Sequence, residues 1–449
     1  MILKRFSLVI KIPIKDFKKT IIVDSDKSIS IRSFLIGSIS QGISTVKNVL
    51  ESEDVFSTIN CLKNLNIKVS YLGQKTYKIF GKGLGSFKAK NNSMLNFGNS
   101  GTLARLIIGI ISTTPNMNLK ISGDRSLNKR SMKKLIVLMN KFGAEFLPKN
   151  KFFLPLHISS SNYPIGISYK SGTSAQLKSA VILAGLNSYG NTEVSENLRS
   201  RDHTENMLKK NDQTIKINNS KIKNIKIIGK QNLDNFSINV PGDPSSAAFF
   251  TALTLLKNNS YLKIKNVGLN PTRIGFYTLL KKSGAKITFS KRRKVNNELV
   301  GDVIVKSSTL KPINASKKYY LNTTDEYPIL FMISALTKGN SFFSGISDLK
   351  NKESDRIKQM QKILKQIGVS SKFKNGKLLI KGKKLKKNVK KKIKVPNLGD
   401  HRICMSAAIL GLLTGFKVEI KNFETVRTSS PSFLKIVKQL GGSFEKKSL

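Results

Sequence analysis

The chain has 449 residues, more than a single hydrophobic core usually serves, so two domains are expected. Hydrophobic residues make up 39%, enough for well-packed lobes, while two cysteines exclude a disulfide framework and no apolar run reaches the length of a membrane span. Lys and Arg number 79 against 26 Asp and Glu, a formal +53, but the excess is lysine scattered among Asn and Ile, as A/T-rich codons produce, so no nucleic-acid partner is expected.

In chain order, the N-terminal 14 residues carry charge through a short apolar stretch and lack a small-residue cleavage site, so no signal peptide and a cytoplasmic location are expected. Six turns rich in small or acidic residues then open apolar helices: Asp26-Lys27-Ser28, Asn99-Ser100-Gly101-Thr102, Ser171-Gly172-Thr173-Ser174, Asp243-Pro244-Ser245-Ser246, Asp325-Glu326 and Asp400-His401-Arg402. They recur at roughly 70–80 residues, which marks an internal repeat.

The helices that follow are apolar on every side, as over 103–111, 179–184, 247–256, 329–336 and 405–413, and a helix of that kind belongs in a core. Second helices with amphipathic spacing are predicted over 54–65, 127–142, 272–283 and 353–367. A turn glycine and a strand come next in several units, as in Phe142-Gly143-Ala144, Ser283-Gly284-Ala285 and Ile367-Gly368-Val369. Each unit therefore reads βαβαββ. The fold class expected is α/β: a two-lobed inside-out α/β barrel of six pseudo-repeats, with three apolar helices inside a ring of sheets in each lobe.

Helix starts present free N–H groups and the positive end of the macrodipole, so six of them in one repeat family favour anions. Lys27, Arg32, Arg105, Arg130, Arg201, Lys352, Arg356 and Arg402 accompany these turns, and arginine offers a planar fork for carboxylate or phosphate. Among the scarce acids, Asp325 and Glu353 could supply a general base and a general acid. Helix capping by Asp325 and an i,i+3 pair of Glu353 with Arg356 explain the same residues equally well. His157, His203 and His401 are too far apart for a zinc site, and no nucleophile elbow or phosphate-binding loop is present, so no metal and no cofactor are expected. The densest basic run, 381–394, contains no aromatic residue for base stacking and reads as a solvated loop.

Together these motifs resemble the enolpyruvylshikimate-phosphate (EPSP) synthases, the 3-phosphoshikimate 1-carboxyvinyltransferases among the enolpyruvyl transferases. The resemblance is carried, in order, by Asp26-Lys27-Ser28-Ile29-Ser30-Ile31-Arg32, Gly98 through Arg105, Gly123-Asp124-Arg125 through Arg130, Ser174-Ala175-Gln176 and Ser200 through Glu205. It continues through Pro241-Gly242-Asp243 to Ala248, Asp325-Glu326-Tyr327-Pro328, Lys352-Glu353-Ser354-Asp355-Arg356 and Asp400-His401-Arg402-Ile403.

The resemblance implies one lobe from 1–24 and 241–449, another from 25–240, and an active site in the cleft between them. It implies transfer of the enolpyruvyl group of phosphoenolpyruvate to the 5-hydroxyl of shikimate 3-phosphate, with release of phosphate, by a monomer that has no membrane partner. Asp325 would be the base, with Glu353 and Lys27 handling protons at the enol carbon. Lys27, Ser28, Arg32, Ser174, Gln176, Arg201, Asp325 and Lys352 would hold shikimate 3-phosphate. Lys27, Asn99, Gly101, Arg130, Gln176, Arg356 and Arg402 would hold phosphoenolpyruvate, and His401 would support the site.

Several positions depart from the family pattern. Asp24-Ser25 stand where relatives carry Pro-Gly, Ile31 replaces a common His, and Ala175 lacks a hydroxyl. Arg427-Thr428-Ser429-Ser430-Pro431 stands where many relatives carry Lys-Thr-Phe-Pro. Two rival readings are a UDP-N-acetylglucosamine enolpyruvyl transferase, which normally carries a loop cysteine, and a basic polyanion-binding protein.

Overall fold

A computed structural model describes residues 5–385 and 392–448, and it divides the chain into two compact units. Unit 1 comprises 1–24, 241–293 and 299–449; unit 2 comprises 25–240 and 294–298.

Among the described residues, each unit holds three four-stranded sheets. In unit 2, for example, Met94–Asn96 pairs in parallel with Asn118–Ser122, which pairs antiparallel with Leu156–Ser159, and that strand with Glu145–Leu147. The order within a repeat is therefore first, second, fourth, third. The parallel step is the one bridged by the apolar helix, because parallel neighbours require a crossover while antiparallel ones need only a hairpin.

Those crossover helices form the cores. In unit 2 they are Lys27–Ile39, Gly101–Ser112 and Ala175–Leu186; in unit 1 they are Pro244–Leu256, Tyr327–Leu336 and His401–Thr414. Nearly every residue of Pro244–Leu256 is buried, including Phe249, Phe250 and Leu253, as its apolar circumference requires. Close packing sets one glycine: a Cβ on Gly109 would lie 2.5 Å from the carbonyl oxygen of Ala180, so the two helices approach backbone to backbone. The inside-out barrel of βαβαββ repeats expected from the sequence is the fold observed.

The repeats are stitched rather than laid end to end. Phe6–Ile10 pairs with Lys417–Ile420 and Glu445–Ser448, completing the last sheet of the chain, and Lys18–Ile21 pairs with Tyr261–Gly268. In return, Ser237–Asn239 pairs with Gln41–Lys47. Each of these strands lies in the same unit as its partners, and the chain passes between units at 24/25, 240/241, 293/294 and 298/299.

The second helix predicted over 54–65 is Glu53–Asn64, but the other three start later than their apolar periodicity predicts, because side chains compete for the first turn. Over 127–142, Asp124 Oδ1 accepts from Leu127 N at 2.7 Å and Asn128 Oδ1 from Gly123 N at 2.9 Å, so a short 3₁₀ turn forms and Arg130 is extended. The α-helix begins only at Lys133–Lys141. Over 272–283, Asn270 Oδ1 takes the backbone N–H and the hydroxyl of Thr272, and the helix is Gly275–Lys282. Over 353–367, Asp355 caps Arg356–Gln366 by accepting from Lys358 N at 3.0 Å.

The basic run 381–394 is strand at both ends, Lys377–Gly382 and Lys392–Val395, rather than loop throughout; 386–391 lie outside the described residues.

Candidate active site

Five of the six openings cap their helix with a side chain. Asp26 accepts from Ile29 N, Ser100 from Leu103 N, Ser174 from Leu177 N, Asp243 from Ser245 N and Asp400 from Arg402 N. Each cap satisfies one orphan N–H of its first turn. The opening Asp325-Glu326 differs: Glu326 is at the N-cap of Tyr327–Leu336 with no side-chain capping bond.

In unit 2 these openings gather a set of cations. Lys27 Nζ lies 3.0 Å from Asp54 Oδ2. Arg32, almost fully buried, donates from Nε to Thr204 Oγ1 at 2.9 Å, from Nη1 to the Ser28 carbonyl at 3.1 Å and from Nη2 to Ser179 Oγ at 3.2 Å. Arg130 Nη2 donates to Asn99 Oδ1 at 2.9 Å. Arg105 Nη1 donates to the Gly101 carbonyl and to Gln176 Oε1, both at 3.1 Å, and Gln176 Nε2 donates to Thr102 Oγ1 at 3.0 Å.

Gly101 is enclosed by that network. A Cβ there would meet Arg105 Nη1 at 2.8 Å and Arg130 Nη1 at 3.1 Å. Two guanidinium groups thus converge on one helix start, where the macrodipole also favours negative charge. Ser174 caps its own helix, and Arg201 stands two residues before His203–Leu208.

In unit 1 the organising group is Arg356, whose side chain is 1% exposed. Its Nη2 donates to Glu353 Oε2 at 2.5 Å, its Nε to the buried Asp400 Oδ2 at 3.0 Å, and its Nη1 lies 3.6 Å from Asp325 Oδ1. Ser354 Oγ also donates to Asp400 Oδ2, at 2.9 Å. Burial alone would lower the Arg356 pKa, but Asp400, Glu353 and Asp325 outweigh it and hold the group above its ordinary value. Arg402 Nη2 lies 4.0 Å from Asp325 Oδ2. Asp325 and Glu353, each a little over one-fifth exposed, therefore meet on one guanidinium and keep access to solvent. The i,i+3 pair of Glu353 and Arg356 is present, and it forms one arm of this cluster.

Lys352 turns to another acid, with Nζ 2.6 Å from Asp348 Oδ2, an oxygen that also accepts from Tyr320 at 2.7 Å. His401 is buried at the start of its helix, next to Arg402.

Sequence reasoning missed several partners. Lys178 is wholly buried and its Nζ lies 2.7 Å from Glu205 and 3.1 Å from Glu196; Lys223 also reaches Glu205 at 3.1 Å, and Ser200 donates to Glu196 through both N–H and hydroxyl. The available signal was a single lysine inside the otherwise uncharged and mostly apolar Ala175–Leu186, since a fully buried lysine requires a counter-charge. Asp54, Asp400, Thr204 and Ser179 come from distant segments, and no spacing rule reaches them.

Cys61 is buried in Glu53–Asn64, its Sγ 3.4 Å from the Asn96 carbonyl oxygen, and burial pushes its pKa up to about 12. Burial also raises the Cys404 thiol. Among the described residues no three His, Cys, Asp or Glu side chains are grouped to hold a metal ion, and no helix is long and apolar enough to cross a membrane. A groove of about 720 Å³ on the sheet that contains Ser168–Ser171 is lined by Tyr169, Lys170 and Lys216 and includes none of these site residues.

Comparison with known proteins gives a consistent result. The family model for EPSP synthase (3-phosphoshikimate 1-carboxyvinyltransferase) matches residues 12–437. The 3-phosphoshikimate 1-carboxyvinyltransferase of Zymomonas mobilis is 38% identical over 428 residues, covering 94% of each chain. That of Petrotoga mobilis is 38% identical over 438 residues, covering 95% of this chain and 98% of its own. Among solved structures, EPSP synthase from Acinetobacter baumannii superposes with a TM-score of 0.84 at 33% identity, over 99% of this chain and 100% of its own. The enolpyruvyl transferase NikO from Streptomyces tendae gives a TM-score of 0.76 over the full length of both chains at 11% identity, a likeness of fold alone.

Proposed function

The chain belongs to the EPSP synthase family, and from that premise we propose that it transfers the enolpyruvyl group of phosphoenolpyruvate to the 5-hydroxyl of shikimate 3-phosphate, giving EPSP and phosphate. The observation that carries the reading is the convergence of Asp325 and Glu353 on Arg356, because the reaction needs an acid and a base beside a cation.

On this reading Asp325 takes the proton of the 5-hydroxyl as its oxygen bonds to C2 of phosphoenolpyruvate, while Glu353 or Lys27 delivers a proton to the methylene carbon. The product of that step is a tetrahedral adduct. Loss of a proton from the new methyl group and cleavage of the C2–O bond to phosphate then restore the enol double bond and release phosphate. Cations that hold the phosphates and the carboxylate keep the reacting atoms together, which supplies much of the rate enhancement in a two-substrate reaction.

Lys27, Ser28, Arg32, Ser174, Gln176, Arg201, Asp325 and Lys352 are proposed to bind shikimate 3-phosphate. Lys27, Asn99, Gly101, Arg130, Gln176, Arg356 and Arg402 are proposed to bind phosphoenolpyruvate, with His401 in support. Arg105 joins the second set, since it links Gly101 to Gln176. The enzyme is proposed to act as a cytoplasmic monomer without cofactor or metal.

The test is phosphate release from phosphoenolpyruvate with shikimate 3-phosphate or UDP-N-acetylglucosamine as acceptor, without added metal. Turnover is expected with the first acceptor alone. Turnover with the nucleotide sugar, or with neither, would overturn the assignment. The buried Cys61, away from any loop, also speaks against the nucleotide-sugar reading.

A further inference from the structure

Asp325 and Glu326 are adjacent in the chain, but their carboxylates have different surroundings. Asp325 is partly open to solvent and lies against Arg356, with Oδ1 3.6 Å from Nη1. Glu326 is 2% exposed, and its Oε1 accepts from the hydroxyl of Ser245 in the first turn of Pro244–Leu256. The same hydroxyl accepts from Arg273 Nη2 at 3.0 Å, and that nitrogen also lies 3.0 Å from Asp243 Oδ1. Glu326 belongs to one of the six repeat openings, yet the proposed mechanism gives it no part.

A buried carboxylate is costly unless it is hydrogen-bonded and has opposite charge nearby, and Ser245 with the buried Arg273 meets that need. The Glu326 backbone is fixed as well: its N–H donates to the Thr323 carbonyl at 3.0 Å, and its carbonyl accepts from Leu330 N at 3.0 Å. The residues just before it pack tightly on the helix that follows Arg273. A Cβ on Gly275 would come 2.1 Å from Thr323 Oγ1 and 2.2 Å from Asn322 Oδ1. The 273–275 segment therefore braces 322–326 at two points, one polar and one by close contact.

We infer that Glu326 is a positioning residue: its carboxylate, held by Ser245, which Arg273 and Asp243 fix in turn, anchors the start of Tyr327–Leu336 and so sets Asp325 against Arg356. The inference rests on the proposed function, because it takes Asp325 as the general base. Glu326 is too deeply buried to meet a substrate; it acts through its neighbour. Since a misplacement of about 1 Å in a reacting group can cost about 10²-fold in rate, such an anchor bears on the chemical step rather than on binding.

The test is steady-state kinetics of the full chain with E326A, E326Q, S245A and the double variant D325A/E326A, read beside urea unfolding midpoints. E326A is expected to lower kcat about tenfold with both KM values changed less than about twofold, the pattern of an interaction that counts only in the transition state. E326Q keeps an acceptor for Ser245 and is expected to recover most of that loss, while S245A should lower kcat about threefold. The double variant should be no slower than D325A alone, because Glu326 acts only through that base.

Multiplied losses in the double variant, an unchanged kcat in S245A, or an E326A that lowers the unfolding midpoint with kcat unchanged would overturn the inference. Should E326A not fold, S245A decides, since it deletes one hydroxyl and leaves every charge in place. Amide exchange at position 326 gives a reading that does not depend on activity: it is expected to quicken in S245A and E326A, and unchanged exchange would sink the anchor. A wild-type protein that releases no phosphate would instead remove the proposed function, leaving the exchange result to judge the anchor itself.

Discussion

Arg356 and Asp400 form a charge pair from which water is almost absent: Nε and Oδ2 are 3.0 Å apart, and the two side chains are 1% and 0% exposed. Asp400 at the same time caps its helix through Oδ1, accepting from Arg402 N at 3.0 Å. One carboxylate therefore pairs with the Arg356 guanidinium and caps the helix that begins with His401 and Arg402.

Removing the arginine leaves that acid buried without its charge partner. R356A is expected to lower unfolding stability by about 3–5 kcal/mol, the usual cost of breaking one side of a buried pair. R356K keeps a charge but loses the fork that reaches Glu353, Asp400 and Asp325 together, so it should retain more stability and still lose most activity. Urea unfolding read beside kcat/KM separates the two effects.

Asp325 and Glu353 carry the proton-transfer roles in the proposed mechanism, and neither lies in the hydrophobic core. D325A and E353A are expected to cut kcat by about 10²–10⁴, the range for loss of a general acid or base, with little change in the unfolding midpoint. Wild-type rates in both variants would remove the two acids from the mechanism. A polyanion-binding function would leave both variants unaffected, while its binding would weaken steeply with salt.

The repeat architecture was legible because each unit contains a helix apolar on every side, and Pro244–Leu256 has only one place to go. The stitching was not legible, since Phe6–Ile10 has the pattern of a buried strand but nothing in five residues names a partner at Lys417–Ile420. The site divides in the same way. The pair of Glu353 with Arg356 was legible from nearness in sequence, although Glu353 lies before the helix rather than on it, and the side-chain caps follow from residue type. Lys27 with Asp54, Arg356 with Asp400 and Ser245 with Glu326 depend on tertiary placement, so a sequence can flag the need for a partner without identifying it.

Gly101 gives a test of how tightly the unit 2 cations are set. The Cβ of G101A would press on the ends of Arg105 and Arg130, which are flexible side chains, so the fold should survive with a change within about 1 kcal/mol. The displaced guanidinium groups are the ones proposed to meet phosphoenolpyruvate. KM for that substrate is expected to rise about tenfold or more while KM for shikimate 3-phosphate moves little. Equal changes in both constants would place Gly101 outside the phosphoenolpyruvate subsite.

The buried cluster of Lys178, Glu196, Glu205 and Lys223 predicts how stability depends on pH. Burial alone would raise the Glu205 pKa, but Lys178 and Lys223 overcome it and hold the group below its ordinary value of 4.5. For Lys178 burial would lower the pKa, and Glu205 with Glu196 instead hold it above 10.5. A carboxylate with a depressed folded pKa binds fewer protons folded than unfolded, so its contribution is present above pH 4.5 and is lost as pH falls through the folded value. A lysine with a raised folded pKa contributes fully below pH 10.5 and is lost as pH rises through its folded value. Wild-type stability should therefore hold a plateau between these limits, as far as this cluster governs it. E205Q leaves one buried ammonium short of a counter-charge and is expected to cost about 3–5 kcal/mol at pH 7. Because the variant has no proton to gain at that position, the gap from wild type should narrow below pH 4.5. Urea unfolding of both proteins from pH 3 to 7 measures the gap, and a constant difference across that range would show that Glu205 does not titrate with folding.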